Sequence, residues 1–281
     1  AITNEAVLSD TKTFIDNDLT SYNDSSLYLL PSVGKASKLY SQKPTDGTGD
    51  FTVIRASTAT RVNEDGLIEE VGLNVPRIDY TDGGCPVLLT EPQATNLLTY
   101  SEDFSNAYWN KTNSSITSNA AISPDGTLNA DKLVESTSAS VKLIQRILSV
   151  TTSTIYTASV FVKYAGREWI RFTDAQSSNR IHFNTLTGAF GLITGVVINY
   201  KSISLSNGWY KLSITTTSVA AAYAMRISLA EADNDVSYTG DGTSGVYIYG
   251  AQLEQGSTAT SYIPTTTTTV TRIADVITGA G

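Results

Sequence analysis

The chain has 281 residues, 16 % of them charged, with a formal net charge of −8. That length buries a core without difficulty, and an acidic balance with no clustered run of Lys and Arg argues against nucleic acid or an anionic membrane as partner. One cysteine, Cys85, excludes an intrachain disulfide and a thiolate metal site, and the single histidine, His182, excludes a histidine-based one. Tyr (15) outnumbers Phe (7) and Trp (3) together, and Thr and Ser are abundant. This is the profile of an all-β extracellular or virion protein with hydroxylated strand faces. No run of about 18 apolar residues occurs and the amino terminus is not signal-like, so no membrane insertion is expected.

Residues 1–26 read as an amino-terminal arm, with a short helix over 1–19 that Asn4 caps and Ala6, Val7, Leu8, Phe14 and Ile15 make one-sided. Residues 27–95 read as a small, irregular β-rich attachment or stalk region. It holds short strands at 27–31, 38–40, 51–55 and 57–62, a glycine turn at 44–50, and the sequence NEDG at 63–66 turning the chain into 67–71 as a hairpin. Strands this short bury little alone, so they need the next domain or sister chains as a neighbour. From residue 96 the strands lengthen: 115–119, 131–135, 141–149, 154–164, 169–174, 180–184, 189–193, 196–205, 209–217, 223–230 and 245–253 are extended, with turn chemistry between them. That spacing predicts a two-sheet jelly-roll β-sandwich over 96–265. The stretch 245–265 reads as its closing strand and exit loop, paired with 96–109. Residues 266–281 form a carboxyl-terminal tail.

RASTATRVNEDGLIEEVGLNVPRIDY (55–80), CPVLLTEPQATNLLTYSEDFSNAYW (85–109), NGWYKLSIT (207–215) and GVYIYGAQLEQGSTATSYIPT (245–265) resemble the tail-fibre, head-spike and other receptor-binding proteins of tailed bacteriophages. The resemblance spans nearly the whole chain after residue 27. It implies a jelly roll similar to carbohydrate-binding modules, a place on the virion after assembly in the bacterial cytoplasm, and bacterial surface polysaccharide and other virion proteins as partners. In a fibre subunit the short amino-terminal strands would be completed around a threefold axis in a homotrimer.

A flat aromatic ring covers the apolar C–H side of a pyranose, which makes the tryptophans the first ligand candidates. Trp109 and Trp209 each adjoin a turn and read as structural plugs. Trp169, beside Arg171 and after the polar sequence Gly166–Arg167–Glu168, is the preferred platform, with Tyr164, Tyr247 and Tyr249 as secondary candidates. Glu231, Asp233 and Asp235 stand at i, i+2 and i+4, one face of a strand. They read as a solvated turn, as part of a structural Ca2+ site formed by Asp233, Asp235 and Asp241, or as the acid and nucleophile of a depolymerase. His182 alternates with Ile181 and Phe183 as an ordinary strand residue, and no Gly-x-Ser-x-Gly elbow accompanies it. Arg55, Arg61 and Arg77 stand among Asp and Glu as ion-pair partners. The expectation is a non-enzymatic virion protein without cofactor beyond that Ca2+, with a purely architectural module as the alternative.

Overall fold

A computed structural model describes residues 28–43, 46–47, 49–81, 86–176 and 178–279. The helix expected over 1–19 and Cys85 lie outside them. The chain is all-β, with a jelly-roll sandwich behind a small β-rich region. Among the described residues the one helical element is the 3-10 turn Ser206–Gly208.

The amino-terminal region contains β1 (Tyr28–Lys35), β2 (Lys38–Lys43), β3 (Phe51–Ile54), β4 (Ala59–Val62), β5 (Ile68–Val71), β6 (Arg77–Asp79), β7 (Val87–Leu89) and β8 (Ala94–Asn96). The NEDG hairpin joins β4 to β5: Asn63 Oδ1 accepts the amides of Asp65 and Leu67, both at 3.0 Å, and Gly66 supplies φ of 75°. The neighbour these short strands require is the same chain. Ile68 packs with Ala130, Phe161, Trp209, Tyr249 and Tyr262, and the Ile68 amide donates to the Pro124 carbonyl at 2.9 Å.

The sandwich follows with β9 (Asn110–Thr112), β10 (Ser114–Ile122), β11 (Leu128–Glu135), β12 (Ala139–Val141), β13 (Leu143–Ser149), β14 (Ile155–Ala165), β15 (Trp169–Asp174), β16 (Asn179–Asn184), β17 (Phe190–Thr194), β18 (Val197–Ser204), β19 (Tyr210–Thr217), β20 (Ala222–Ala230), β21 (Ser237–Thr239) and β22 (Gly245–Gln255). One sheet has the order β10-β11-β22-β14-β19-β18 and the other β17-β16-β15-β20-β13-β9. Period-two alternation sends Val160, Val162, Leu212, Ile214, Val246 and Ile248 of the first against Ile144, Ile170, Phe172, Ile181, Phe183 and Ile227 of the second. Burying each such side chain contributes roughly 1.5–3 kcal/mol.

The strand expected to close the sandwich is instead central. β22 pairs with β11 on one side and β14 on the other. Segment 96–101 runs beside it as an irregular attachment, through Leu97 N to Leu253 O at 2.8 Å and Ala251 N to Ser101 O at 2.9 Å. Gly250 interrupts the β14–β22 register with φ of 59°, and a Cβ there would lie 2.8 Å from the Phe161 ring.

Residues 266–281 contain β23 (Val270–Arg272) and β24 (Val276–Thr278), which return to the amino-terminal region. β23 pairs with β8 and β24 with β3, giving the sheet order β1-β2-β3-β24. A buried charge network fastens this return. Asp275 accepts from Arg55 Nη1 at 2.8 Å, from Arg77 Nη2 and from the Glu91 amide at 3.0 Å. Glu91 accepts from Arg77 at 2.8 Å and lies 3.5 Å from Arg272. Arg61 pairs with Glu69 at the surface.

Candidate functional site

The first sheet has both faces covered in part, since the cluster around Ile68 packs on its outer side. Among the described residues no second apolar cluster is buried on the outer side of the other sheet. That open face is built by β15 and its neighbours. With Ile170 and Phe172 turned to the core, Trp169, Arg171 and Thr173 point outward. Cross-strand register sets Asn184, His182 and Arg180 of β16 on one side of them, and Ala230, Ser228 and Arg226 of β20 on the other. Gln145 of β13 stands next to Arg226. The short members Thr173, Ser228 and Ala230 are buried, while Trp169, Arg171, Arg180, Arg226 and Gln145 remain half-buried. The face therefore presents an indole, three guanidinium groups and an amide above a floor of small residues.

Much of this polarity has no partner among the described residues. Arg171 Nε, Thr173 Oγ1, His182 Nε2 and Ser228 Oγ are buried atoms without a hydrogen bond. Arg180 spends one N–H on Thr194 Oγ1 at 2.5 Å and Arg226 one on Gln145 Oε1 at 2.9 Å. Burial, then the neighbouring Arg180 and Arg226 charges, push the Arg171 guanidinium below its usual range, yet arginine stays protonated. His182 contacts the Leu192 carbonyl through Nδ1 at 2.9 Å. A carbonyl only accepts, so Nδ1 carries the proton and neutral His182 leaves Nε2 as a bare acceptor. Burial holds the imidazole below its ordinary pKa, against the Leu192 hydrogen bond and Asp233, and with the help of Arg171 and Arg180.

Trp169 enters its strand from a fixed corner. The Arg167 amide donates to Gly245 O at 2.9 Å, and the Thr185 amide to Glu168 O at 2.6 Å. The Arg167 guanidinium forks onto Glu135 at 2.7 and 3.0 Å, and Glu135 also accepts from Tyr238 and from the Asp241 amide. Lys142, fully buried, reaches the Ser138 and Ser140 carbonyls, both at 2.8 Å, and the Tyr238 carbonyl, with its ammonium 3.9 Å from the Tyr238 ring.

The expected ligand residues are divided. Trp169 and Arg171 share the open face, with Trp169 about half-buried at its end. Tyr247 lies on the outer side of the other sheet between Lys132 and Lys163. Tyr164 sits opposite Val246 near the end of β14, 38 % exposed. Tyr249 is withdrawn as a ligand residue: it is 2 % exposed, packs on Phe161 and Tyr262, and donates to Glu102 and Asp125. Trp109 and Trp209 are buried plugs whose indole N–H groups donate to Tyr100 O and Ile122 O.

Of the readings open to the acidic segment, the structure has the turn. β20 ends at Ala230, and residues 231–235 form a tight turn closed by Glu231 N to Asp235 O at 2.8 Å, with Asn234 at φ of 64°. Glu231, Asp233 and Asp235 therefore share no strand face. Asp233 reaches across to the Leu192 amide at 2.9 and 3.0 Å. Asp241 is saturated by its own loop, the Thr243 and Ser244 amides and hydroxyls, which hold its carboxyl far below the usual range. Asp233, Asp235 and Asp241 do not converge, and among the described residues no three His, Cys, Asp or Glu side chains do. Sequence reading passed over Arg180, Arg226 and Gln145. Their signal was parity: Arg180 alternates with Ile181, and Arg226 with Met225 and Ile227.

A concavity of about 270 Å3 lies away from this face, where the hairpin meets the sandwich, walled by Val62, Ile68, Phe161, Leu205 and Tyr262. Its polar groups are engaged by one another: Lys211 donates to Thr260 O, Thr260 to Glu254 and Ser261 to Glu91.

The sequence matches no protein-family model, and no curated protein matches it. Among solved structures, the chain is similar to the CBM22-1–GH10 modules of Clostridium thermocellum endo-1,4-β-D-xylanase 10B complexed with xylohexaose, with 15 % identity over 60 % of this chain and 29 % of that one, and a TM-score of 0.33. It is similar to TmCBM61 in complex with β-1,4-galactotriose, with 10 % identity over 57 % and 99 %, and a TM-score of 0.34. It is also similar to the CBM22-1 xylan-binding domain of Paenibacillus barcinonensis Xyn10C, with 11 % identity over 59 % and 94 %, and a TM-score of 0.31.

Proposed function

We propose that this is a virion structural protein of a tailed bacteriophage, a fibre, spike or decoration subunit, whose open sheet face binds glycans on the bacterial surface. One observation carries the binding role: a half-buried indole, Trp169, shares this face with the half-buried guanidinium groups of Arg171, Arg180 and Arg226, none of which has an ion pair among the described residues. A saccharide supplies what such a face lacks, hydroxyl groups for the polar row and an apolar C–H side for the ring. The virion role is supported by the sequence strings that resemble phage receptor-binding proteins. Weak single contacts would be raised to useful avidity by the copies carried on one particle, a homotrimer included. The test is binding of the purified chain to an array of bacterial surface glycans, with Trp169→Ala alongside. Binding that falls in the variant with the ligand left uncleaved supports the reading, and no binding by the folded protein overturns it.

A purely architectural role has one observation in its favour. β18 is a sheet edge, and Ile198 and Tyr200 on it, with Val196 before it, are 47, 41 and 79 % exposed, an apolar edge open to pairing with another virion protein. That role predicts a firm complex with another virion protein, lost in Ile198→Lys, and no glycan affinity.

A further inference from the structure

The chain contains nine arginines, and their partners divide them sharply. Arg55, Arg61, Arg77, Arg167 and Arg272 hold carboxylates, and Arg146 lies over the Tyr108 ring at 4.0 Å. The remaining three, Arg171, Arg180 and Arg226, have no ion pair among the described residues and all stand on the open face. Arg180 and Arg226 flank Thr173 from either side, so their Cα atoms are about 10 Å apart at two strand spacings. Arg171 lies two residues along β15, about 7 Å from Thr173. In a chain of net charge −8, three like charges held this close without a counter-charge repel one another. Carboxylates on the adjoining segments make no ion pair with them: Asp233 accepts from the Leu192 amide and Glu168 from Asn184 Nδ2 at 3.3 Å.

We infer that the glycan taken by this face is acidic, with sugar carboxylates seated on Arg171, Arg180 and Arg226 and a neighbouring ring stacked on Trp169. The inference rests on the glycan-binding reading and narrows it to a uronic-acid type of polymer. Guanidinium groups match carboxylates with paired, charge-assisted hydrogen bonds, and the bound anion relieves the repulsion among the three. Nucleic acid fits less well: the cationic area is one small triangle of three side chains, whereas binding to a phosphate backbone draws on a longer run of cationic contacts.

The experiment is affinity electrophoresis and calorimetry of the full chain with polygalacturonate, with neutral dextran and β-1,4-galactan, and with sonicated duplex DNA. Arg171→Gln, Arg226→Gln and Arg171→Lys accompany the parent, each checked for an unchanged melting curve. The expected result is binding to polygalacturonate that weakens with added salt. Either Gln variant then loses roughly tenfold to hundredfold in affinity, the range of one charge-assisted hydrogen bond, while Arg171→Lys retains part of it. Binding to dextran or galactan as strong as to polygalacturonate, and indifferent to the Gln variants, overturns the acidic specificity and leaves the glycan reading standing. Binding to none of the polysaccharides overturns the acidic specificity, and the glycan reading is then decided by the array of bacterial surface glycans. Equal binding to DNA overturns the inference in favour of an unselective cationic patch.

Discussion

Asp275 is the residue whose loss should reach furthest. Its side chain is 1 % exposed and stands between Arg55 and Arg77, both fully buried, while also accepting the Glu91 amide. Arg55 keeps other acceptors, the carbonyls of Ser57 at 2.9 Å and Gly72 at 2.6 Å, and Arg77 keeps Glu91 and the Thr60 carbonyl. Asp275→Ala thus orphans few donors and unbalances the charge: Arg55, Arg77 and Arg272 are left around Glu91 alone. Removing one partner from such a buried network costs about 3–5 kcal/mol, a figure for uncompensated charge rather than for the net worth of the pairs. Urea titration followed by tryptophan fluorescence measures the global loss, and proteolysis measures release of the segment holding β23 and β24. Asp275→Asn, which keeps an acceptor and loses the charge, should fall between parent and Ala. A loss for Asp275→Ala below about 1 kcal/mol, with residues 270–279 as protected as in the parent, would refute this account of the network.

The pH dependence of stability has two opposed parts. For Glu91 and Asp275 burial works against ionisation, but arginine neighbours and hydrogen bonds outweigh it and hold both below their usual range. Their contribution is complete above about pH 4.5 and is lost as pH falls through the lowered folded values. Glu102, Asp131 and Glu254 are raised, chiefly by burial, so acidification from neutral first relieves a cost; urea midpoints should rise toward mildly acidic pH and then drop, and a monotonic fall from pH 7 would contradict this. Trp209→Ala empties a buried site and leaves Ile122 O unpaired, so a loss of about 3–5 kcal/mol in the same titration is expected, whereas Trp169→Ala should cost under about 1.5 kcal/mol and act on glycan binding. Gly250→Ala places a methyl against Phe161 at positive φ and should cost about 1–3 kcal/mol, read as a fall in melting temperature.

Period two made most of the sandwich legible. Residues 169–174 were bounded as the structure has them, and the alternation of His182 with Ile181 and Phe183 is that of a strand with the two apolar residues in the core. Alternation does not say whether a strand is central or at an edge, so β22 was misplaced; inside the sheet its Gly245 and Gly250 allow close approach of Leu133 and Phe161. The same limit governs the site. The outward parity of Tyr249 was readable, but the hairpin that covers that side of the sheet is a long-range event no local pattern announces. Arg180 and Arg226 were visible as outward residues of separate strands. Only pairing across β15, which joins positions 171, 180 and 226, turns them into one group.

The return of β24 to β3 gives the molecule a mechanical property. Tension applied between residue 28 and residue 279 runs through the four neighbouring strands β1-β2-β3-β24, and the sandwich is an insertion between the last two, outside the load path. A protein held by one end and jerked by the other would strain that small sheet first. The open face around Trp169 would keep its shape under a pull that shears this sheet, so the two parts of the molecule can yield independently.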